Sequence, residues 1–266
     1  MRGRLLTVAY DGTRYCGFQF QINGLTVQEV FERTLGMIEK QPVRIKGASR
    51  TDSGVHAIGQ RVFYVSGHDL PDEAYLKGCN ALLPQDVAVL GVTRVPEDFN
   101  PRLTAGKIYR YTLRSSPVRD PLRVNSEWTV YRRLDVEAMR QAAARLVGTH
   151  DFSAFQAADC ERENAVRTVL RLEINAHRER IDLLVSGTAF LKNMVRIMAG
   201  TLVEVGTGRF SPDDVSAILQ ARDRTAAGMT APAAGLCLMN VFYPGDAGAA
   251  CLREGPWPDW NHETTG

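Results

Sequence analysis

The stretch Gly47-Ala48-Ser49-Arg50-Thr51-Asp52-Ser53-Gly54-Val55-His56-Ala57 decides how the chain is read. It is polar, contains two glycines and gathers an arginine, an aspartate and a histidine between two apolar runs. Before it, Val43-Arg44-Ile45-Lys46 alternates as a half-buried strand does, and residues 61–65 after it form another short strand. Taken as a loop between strands, it organises everything around it. Upstream, residues 5–10 are a β-prone run closed by the turn pair Asp11-Gly12. Thr26-Val27-Gln28-Glu29 is a capping box, and Val27, Val30, Phe31, Leu35 and Ile38 follow it at helical spacing. Downstream, Pro71-Asp72-Glu73 opens a helix with proline in the first turn, and residues 87–95 read as a strand. The order is β-α-β-β-α-β, the pattern of a ferredoxin-like unit.

The second half repeats that order. Residues 108–114 are a strand, and Asp135 caps a helix carrying Val136, Met139, Ala143 and Leu146 that Gly148 ends. Residues 168–174 and 181–186 are strands, residues 190–205 a helix, and Ser211-Pro212-Asp213-Asp214 opens another. A last strand spans 236–243, where Pro244 stops it. The expected fold is α/β in the α+β sense. Two ferredoxin-like subdomains, residues 1–105 and 106–244, join edge to edge in a mixed, largely antiparallel sheet. Residues 245–266 are expected to be a loosely packed polar tail.

With 266 residues, 44% of them apolar and 23% charged, the chain can bury an ordinary core. Its five cysteines are scattered and form no CxxC pair, which argues against a zinc site or disulfide framework. No stretch approaches the ~20 apolar residues of a membrane span, and no signal-peptide pattern is visible. The expectation is a cytoplasmic protein without membrane contact. Net charge is only +2, but residues 102–133 hold eight basic residues against two acidic ones. Such a stretch suits a polyanion, and equally a pair of solvated strands. The tail is acidic, with Asp246, Glu254, Asp259 and Glu263 against Arg253.

Loops held by a rigid sheet are where catalytic groups tend to sit, so Arg50, Asp52 and His56 are candidates. Asp52-Ser53-Gly54 is also an ordinary Asx-turn sequence, and His56 alone reads as a packing or hydrogen-bonding residue. No GxxxxGK[ST], no GxGxxG after a strand and no HExxH is present, so neither metal nor cofactor is expected.

Residues 47–60 resemble the signature of the tRNA pseudouridine synthase A family, Gly-Arg-Thr-Asp-x-Gly-Val-His-Ala followed by Gln, with Ser49 where glycine is usual. Tyr10-Asp11-Gly12-Thr13 with Tyr15-Cys16-Gly17-Phe18-Gln19 is similar to the family's first turn, with Phe18 where tryptophan is common. Phe99-Asn100-Pro101-Arg102 through Lys107-Ile108-Tyr109-Arg110-Tyr111 is similar to the strand bearing its active-site tyrosine. His150-Asp151-Phe152-Ser153-Ala154-Phe155, Phe190-Leu191-Lys192-Asn193-Met194-Val195-Arg196 and Thr230-Ala231-Pro232-Ala233-Ala234-Gly235-Leu236 also match, in order along the chain.

The resemblance implies the pseudouridine synthase fold and an isomerase that turns uridine into pseudouridine at positions 38, 39 and 40 of the tRNA anticodon stem-loop. It implies a homodimer and no cofactor. It makes Asp52 the catalytic carboxylate, Arg196 the cation that pairs with it and keeps it ionised, and Tyr109 the ring that stacks on the flipped base and takes the C5 proton. Arg50 helps displace the base, and Arg110 beside Tyr109 is a further substrate contact. Asp52 acts either by trapping C1′ or as a base at the ribose, and the residues do not choose. Two other classes fit the bare residues. A non-catalytic RNA-binding module of ferredoxin-like type does not require Arg50, Asp52, Tyr109 and Arg196 together. A nucleoside hydrolase or glycosidase calls for a second carboxylate that the motifs do not supply.

Overall fold

The computed structural model describes residues 2–160 and 164–260; Glu263 of the acidic tail lies outside them. Ten strands form one mixed, mostly antiparallel sheet with helices on one face. In the first half, β1 (Gly3–Tyr10), α1 (Val27–Glu39), β2 (Lys46–Gly47), β3 (His56–Val65), α2 (Asp72–Leu82) and β4 (Val87–Val95) follow in that order. The second half runs β5 (Gly106–Ser115), β6 (Trp128–Val130), α3 (Val136–Ala144), β7 (Gly148–Asp151), β8 (Val166–His177), β9 (Arg180–Gly187), α4 (Met194–Gly206), α5 (Asp214–Ala221) and β10 (Leu236–Phe242).

The spatial order β4-β1-β3 with β2 on β3, and β10-β5-β9-β8 in the second half, is the same ferredoxin-like arrangement twice. The halves meet where β3 and β10 pair in parallel, His56 and Ala57 against Cys237 and Leu238. The expected strand at 43–46 forms only at Lys46 and Gly47, pairing with Phe63 and Val62, and because it ends at Gly47 the start of β3 is left open to β10. Accordingly β3 begins at His56, five residues before the expected start, and the loop of residues 48–55 leaves the sheet where the two halves join.

Local chemistry sets the element ends largely as expected. Thr26 Oγ1 accepts from the Glu29 amide, and Asp135 from the Ala138 amide. Ser211 and Asp214 cap each other reciprocally, although α5 itself starts only at Asp214. Apolar faces of α1 to α5 share one buried core, with residues of both halves in it. Among the described residues no helix is long and apolar enough to cross a membrane.

Two further expectations fail. The helix expected from residue 190 begins at Met194, after Asn193 in the left-handed region at φ 60°. Over its described residues, 245–260, the tail is not loosely packed. Residues 247–252 coil into a short 3-10 helix whose Leu252 is buried with Ile108, Cys237, Met239 and Phe242 on the sheet face opposite the helices. Trp257 and Trp260 pack on the same cluster. Polar bonds fix this docking. Arg171 donates to Gly255 O at 2.8 Å and lies 4.0 Å over the Trp257 ring, while the Trp257 indole donates to Glu173 at 2.7 Å. Burying the apolar side chains of Leu252 and two indoles is worth several kcal/mol, at about 25 cal/mol per Å².

Candidate active site

The loop of residues 48–55 is held from both sides before any side chain reaches the cleft. Gln60, fully buried, accepts from the Ser49 amide at 3.1 Å and donates to Ser49 O at 2.8 Å, a two-point clamp on one residue. The Tyr10 and Thr51 hydroxyls share a bond of 2.8 Å. The first turn of the chain packs against the loop: the Phe18 amide donates to Thr51 O, and the Gly54 amide to Tyr15 O. Gly17 stands at φ 86°, and a Cβ there would lie 2.8 Å from Thr51 O. Only glycine tolerates both the backbone and the approach. His56 accepts from the Gly12 amide through Nδ1 at 3.1 Å, which gives it the hydrogen-bonding role read for it.

Asp52 projects from this frame toward α4. Its carboxylate lies 3.8 Å from Arg196 Nη1, and the Asn193 main chain acts on it to hold its pKa down. Arg196 is itself fixed, donating from Nε to Ala231 O at 2.8 Å and from Nη1 to Asn193 Oδ1 at 3.0 Å. The late start of α4 puts the positive end of the helix, with Arg196 in its first turn, against the carboxylate. Lys192, bonded to Asp159, adds positive charge nearby.

Burial nonetheless raises the pKa of Asp52 above the ordinary carboxylate value; Arg196, Lys192 and the Asn193 amide pull it back only in part. Arg196 lowers it, as an adjacent cation is expected to, but the side chain is only a quarter exposed and desolvation outweighs the ion pair. Asp159 is the second carboxylate that Asp52 feels. Its own pKa is lowered by Lys192, so it is no protonated acid of the kind a glycosidase needs.

Tyr109 faces the same side. Its ring is buried, meets Phe190 edge-on at 5.2 Å between centroids, and its hydroxyl bonds Ser49 Oγ at 2.8 Å. Burial drives its pKa up, with the Asp52 charge adding to the rise and Ser49 opposing it. At rest the phenol is neutral. Tyr111 and Leu113 share its face in the core, as strand alternation requires.

Arg50 is exposed on the loop beside Asp52. Arg110 is not brought to the site. It alternates with Tyr109 on β5, which pairs with β9 without a bulge, and shares the side of Ile108, where the tail docks. The basic stretch is also less available than its composition suggests. Arg114 is 15% exposed and is ion-paired to Glu127, Asp120 and Glu179, while Arg123 faces Asp120. Arg102, Arg119, Arg132 and Arg133 are exposed.

Sequence reading missed Asn193 and Lys192 as site residues. Both lie in the quoted segment 190–196, and the signal was an asparagine, a residue that tolerates the left-handed region.

Comparison with known proteins shows a family. A family model described as tRNA pseudouridine synthase matches residues 6–102 and 142–244. A tRNA pseudouridine synthase A of Myxococcus xanthus is 50% identical over 240 residues, covering 90% of this chain and 91% of that one. Proteins of the same description from Geotalea uraniireducens (45% identity, 91% of this chain and all of that one) and Syntrophotalea carbinolica (47%, 90% and 95%) are similar too. Among solved structures, a chain of a Cbf5-Nop10-Gar1 complex aligns at 10% identity with a TM-score of 0.36, covering 88% of this chain and 48% of that one, a likeness too slight to argue from.

Proposed function

The chain belongs to the tRNA pseudouridine synthase family, and from that premise we propose that it isomerises uridine to pseudouridine in the anticodon stem-loop of tRNA, at positions 38, 39 and 40, with Asp52 as the catalytic carboxylate. The observation that carries the reading is the Asp52 carboxylate, a quarter exposed and set between Arg196 and the N-terminal end of α4.

Isomerisation breaks the bond from C1′ to N1, turns the detached base, joins C5 to C1′ and leaves one proton fewer on C5 and one more on N1. No water and no electron enter or leave. The target base must first leave its stack, at a cost of a few kcal/mol; Arg50, exposed beside Asp52, is suited to fill the space it vacates. The ionised Asp52 then meets the electron-poor C1′, as a carboxylate does in glycoside cleavage, or takes a proton from the ribose. Arg196 holds the carboxylate in orientation and favours its charged form. Tyr109 stacks on the flipped base; its phenol gives its own proton to the freed N1, and the phenolate so formed takes the C5 proton. The role does not extend to Arg110.

The remaining exposed arginines of residues 102–133 are suited to the phosphate backbone. We read residues 1–105 and 106–244 as the two subdomains that meet at this site, the protein as a cytoplasmic homodimer, and the reaction as independent of metal or cofactor.

Incubation with unmodified tRNA, followed by carbodiimide labelling read at nucleotide resolution, tests the reading. Pseudouridine at positions 38 to 40 with no change in mass is the expected result. Free uracil in the product would instead indicate a hydrolase, and RNA binding without isomerisation a non-catalytic module.

A further inference from the structure

Ser49 stands in a setting that the clamp on its backbone does not explain. Gln60 already fixes both its amide and its carbonyl, so its hydroxyl is not needed to hold the loop. That hydroxyl lies 2.8 Å from the Tyr109 oxygen, and both residues are more than nine-tenths buried. On its other side, 3.5 Å away, is the Lys107 ammonium, which donates to Ala48 O at 2.9 Å. Lys107 and Tyr109 are two apart on β5, so both reach the loop from one face.

The order of these three groups sets the direction of the middle bond. An ammonium has protons only to give, and its charge turns the Ser49 lone pairs toward itself. The one hydroxyl proton of Ser49 is then left for the Tyr109 oxygen. Resting on the reading of Tyr109 above, we propose that Ser49 is a positioning residue. By donating to the phenol oxygen it fixes that oxygen toward C5 of the flipped uracil and stabilises the phenolate, the form that can take the C5 proton. Ser49 touches no substrate and acts through Tyr109 alone. A hydrogen bond donated to the phenol oxygen favours its charged form against the cost of burial, in line with the opposing effect of Ser49 on the Tyr109 pKa.

The test follows release of the C5 hydrogen. An anticodon stem-loop RNA carrying tritium or deuterium at C5 of the target uridine is turned over once by excess enzyme. Ser49→Ala should slow tritium release about 5- to 100-fold, the range that one buried hydrogen bond spans. It should enlarge the deuterium isotope effect and leave RNA affinity within about twofold. Ser49→Gly, which also lacks the hydroxyl, should behave alike if Ser49→Ala folds poorly. Ser49→Thr, which keeps it, should restore most of the rate. In a Tyr109→Phe background, Ser49→Ala should add nothing. Equal losses in both backgrounds, or wild-type release by Ser49→Ala beside a slow Tyr109→Phe, overturn the proposal alone. Wild-type release by Tyr109→Phe overturns the reading of Tyr109 and the proposal with it.

Discussion

The main chain of Asn193, a residue held in the left-handed region at the mouth of α4, lowers the pKa of the Asp52 carboxylate from 141 positions away in sequence. One residue thereby ends a loop, starts a helix and acts on a partly buried anion. Arg196, one turn on, bonds the Asn193 side chain and pairs with the same carboxylate, so the three form a single unit.

Replacing Asp52 by Asn keeps size and polarity but removes the charge. Isomerisation should fall by several orders of magnitude, as loss of a catalytic group commonly brings, while RNA affinity stays within a few-fold. Single-turnover assays beside filter binding measure both. Appreciable pseudouridine from the pure variant would falsify the role given to Asp52.

The raised pKa of Asp52 has two consequences of defined sign. Activity needs the ionised form, so the acidic limb of the rate against pH should lie above the ordinary carboxylate value of 3.8. Arg196→Gln should move that limb further up, because the largest opposing charge is gone. For stability, a folded-state pKa above the unfolded one gives a contribution that is full below the unfolded pKa and lost as pH rises through the folded pKa. Asp52→Asn should therefore be at least as stable as the parent at pH 7. An acidic limb at or below 3.8, or a clearly less stable Asp52→Asn, counts against this account.

Tyr109→Phe keeps the ring and its edge-on contact with Phe190. A stacking platform alone predicts near-normal turnover. A proton acceptor predicts a fall of about 10²–10⁴-fold with RNA affinity little changed. Tyr109→Leu should in addition weaken base capture, since stacking is worth about 1–3 kcal/mol per base. Rates and affinities of the two variants separate these cases, and an unimpaired Tyr109→Phe reduces Tyr109 to a platform.

Arg114 and the exposed pair Arg132 and Arg133 should differ in kind. Each phosphate contact contributes about 0.7–0.9 to the salt slope of RNA binding. Arg132→Gln with Arg133→Gln should flatten that slope. Arg114→Gln should leave it unchanged and lower the melting temperature, since it strands the buried Glu127. The reverse pattern would move the RNA site to the Arg114 side.

Much of the fold was legible because its signals are local. The capping box at Thr26, the Asp135 cap and the alternation of β5 each lie within a few residues, and the structure keeps them. What was missed depends on distant partners. Residues 43–45 alternate like a strand but join no ladder, since the Ile45 amide donates instead to the Glu32 carboxylate of α1. Three residues of β6 carry no readable period. Phe190 and Leu191 fit the helical spacing of α4, yet they belong to the loop before it, where Phe190 meets Tyr109. In the site, the Arg50-Thr51-Asp52 loop was visible as an anomaly. Nothing local ties Asp52 to Arg196, and only the family resemblance joined them. Arg110 was read together with Tyr109, but neighbours on a strand face opposite ways, and the two side chains do not reach the same side.

The docked C-terminal tail gives the protein an optical reporter of its own. Two of its three tryptophans, Trp257 and Trp260, lie in that segment, while Trp128 sits edge-on to Tyr111 across the sheet. Most of the indole emission therefore arises from a region beyond residue 244, where the family match ends. Release of the tail exposes Trp257 to water and removes the Arg171 guanidinium from its face, so the emission shifts to the red while the helices stay intact. A melting curve followed by fluorescence would record the tail leaving, and one followed by far-ultraviolet dichroism the fold itself. The gap between the two measures how tightly the tail is coupled to the sheet that it covers.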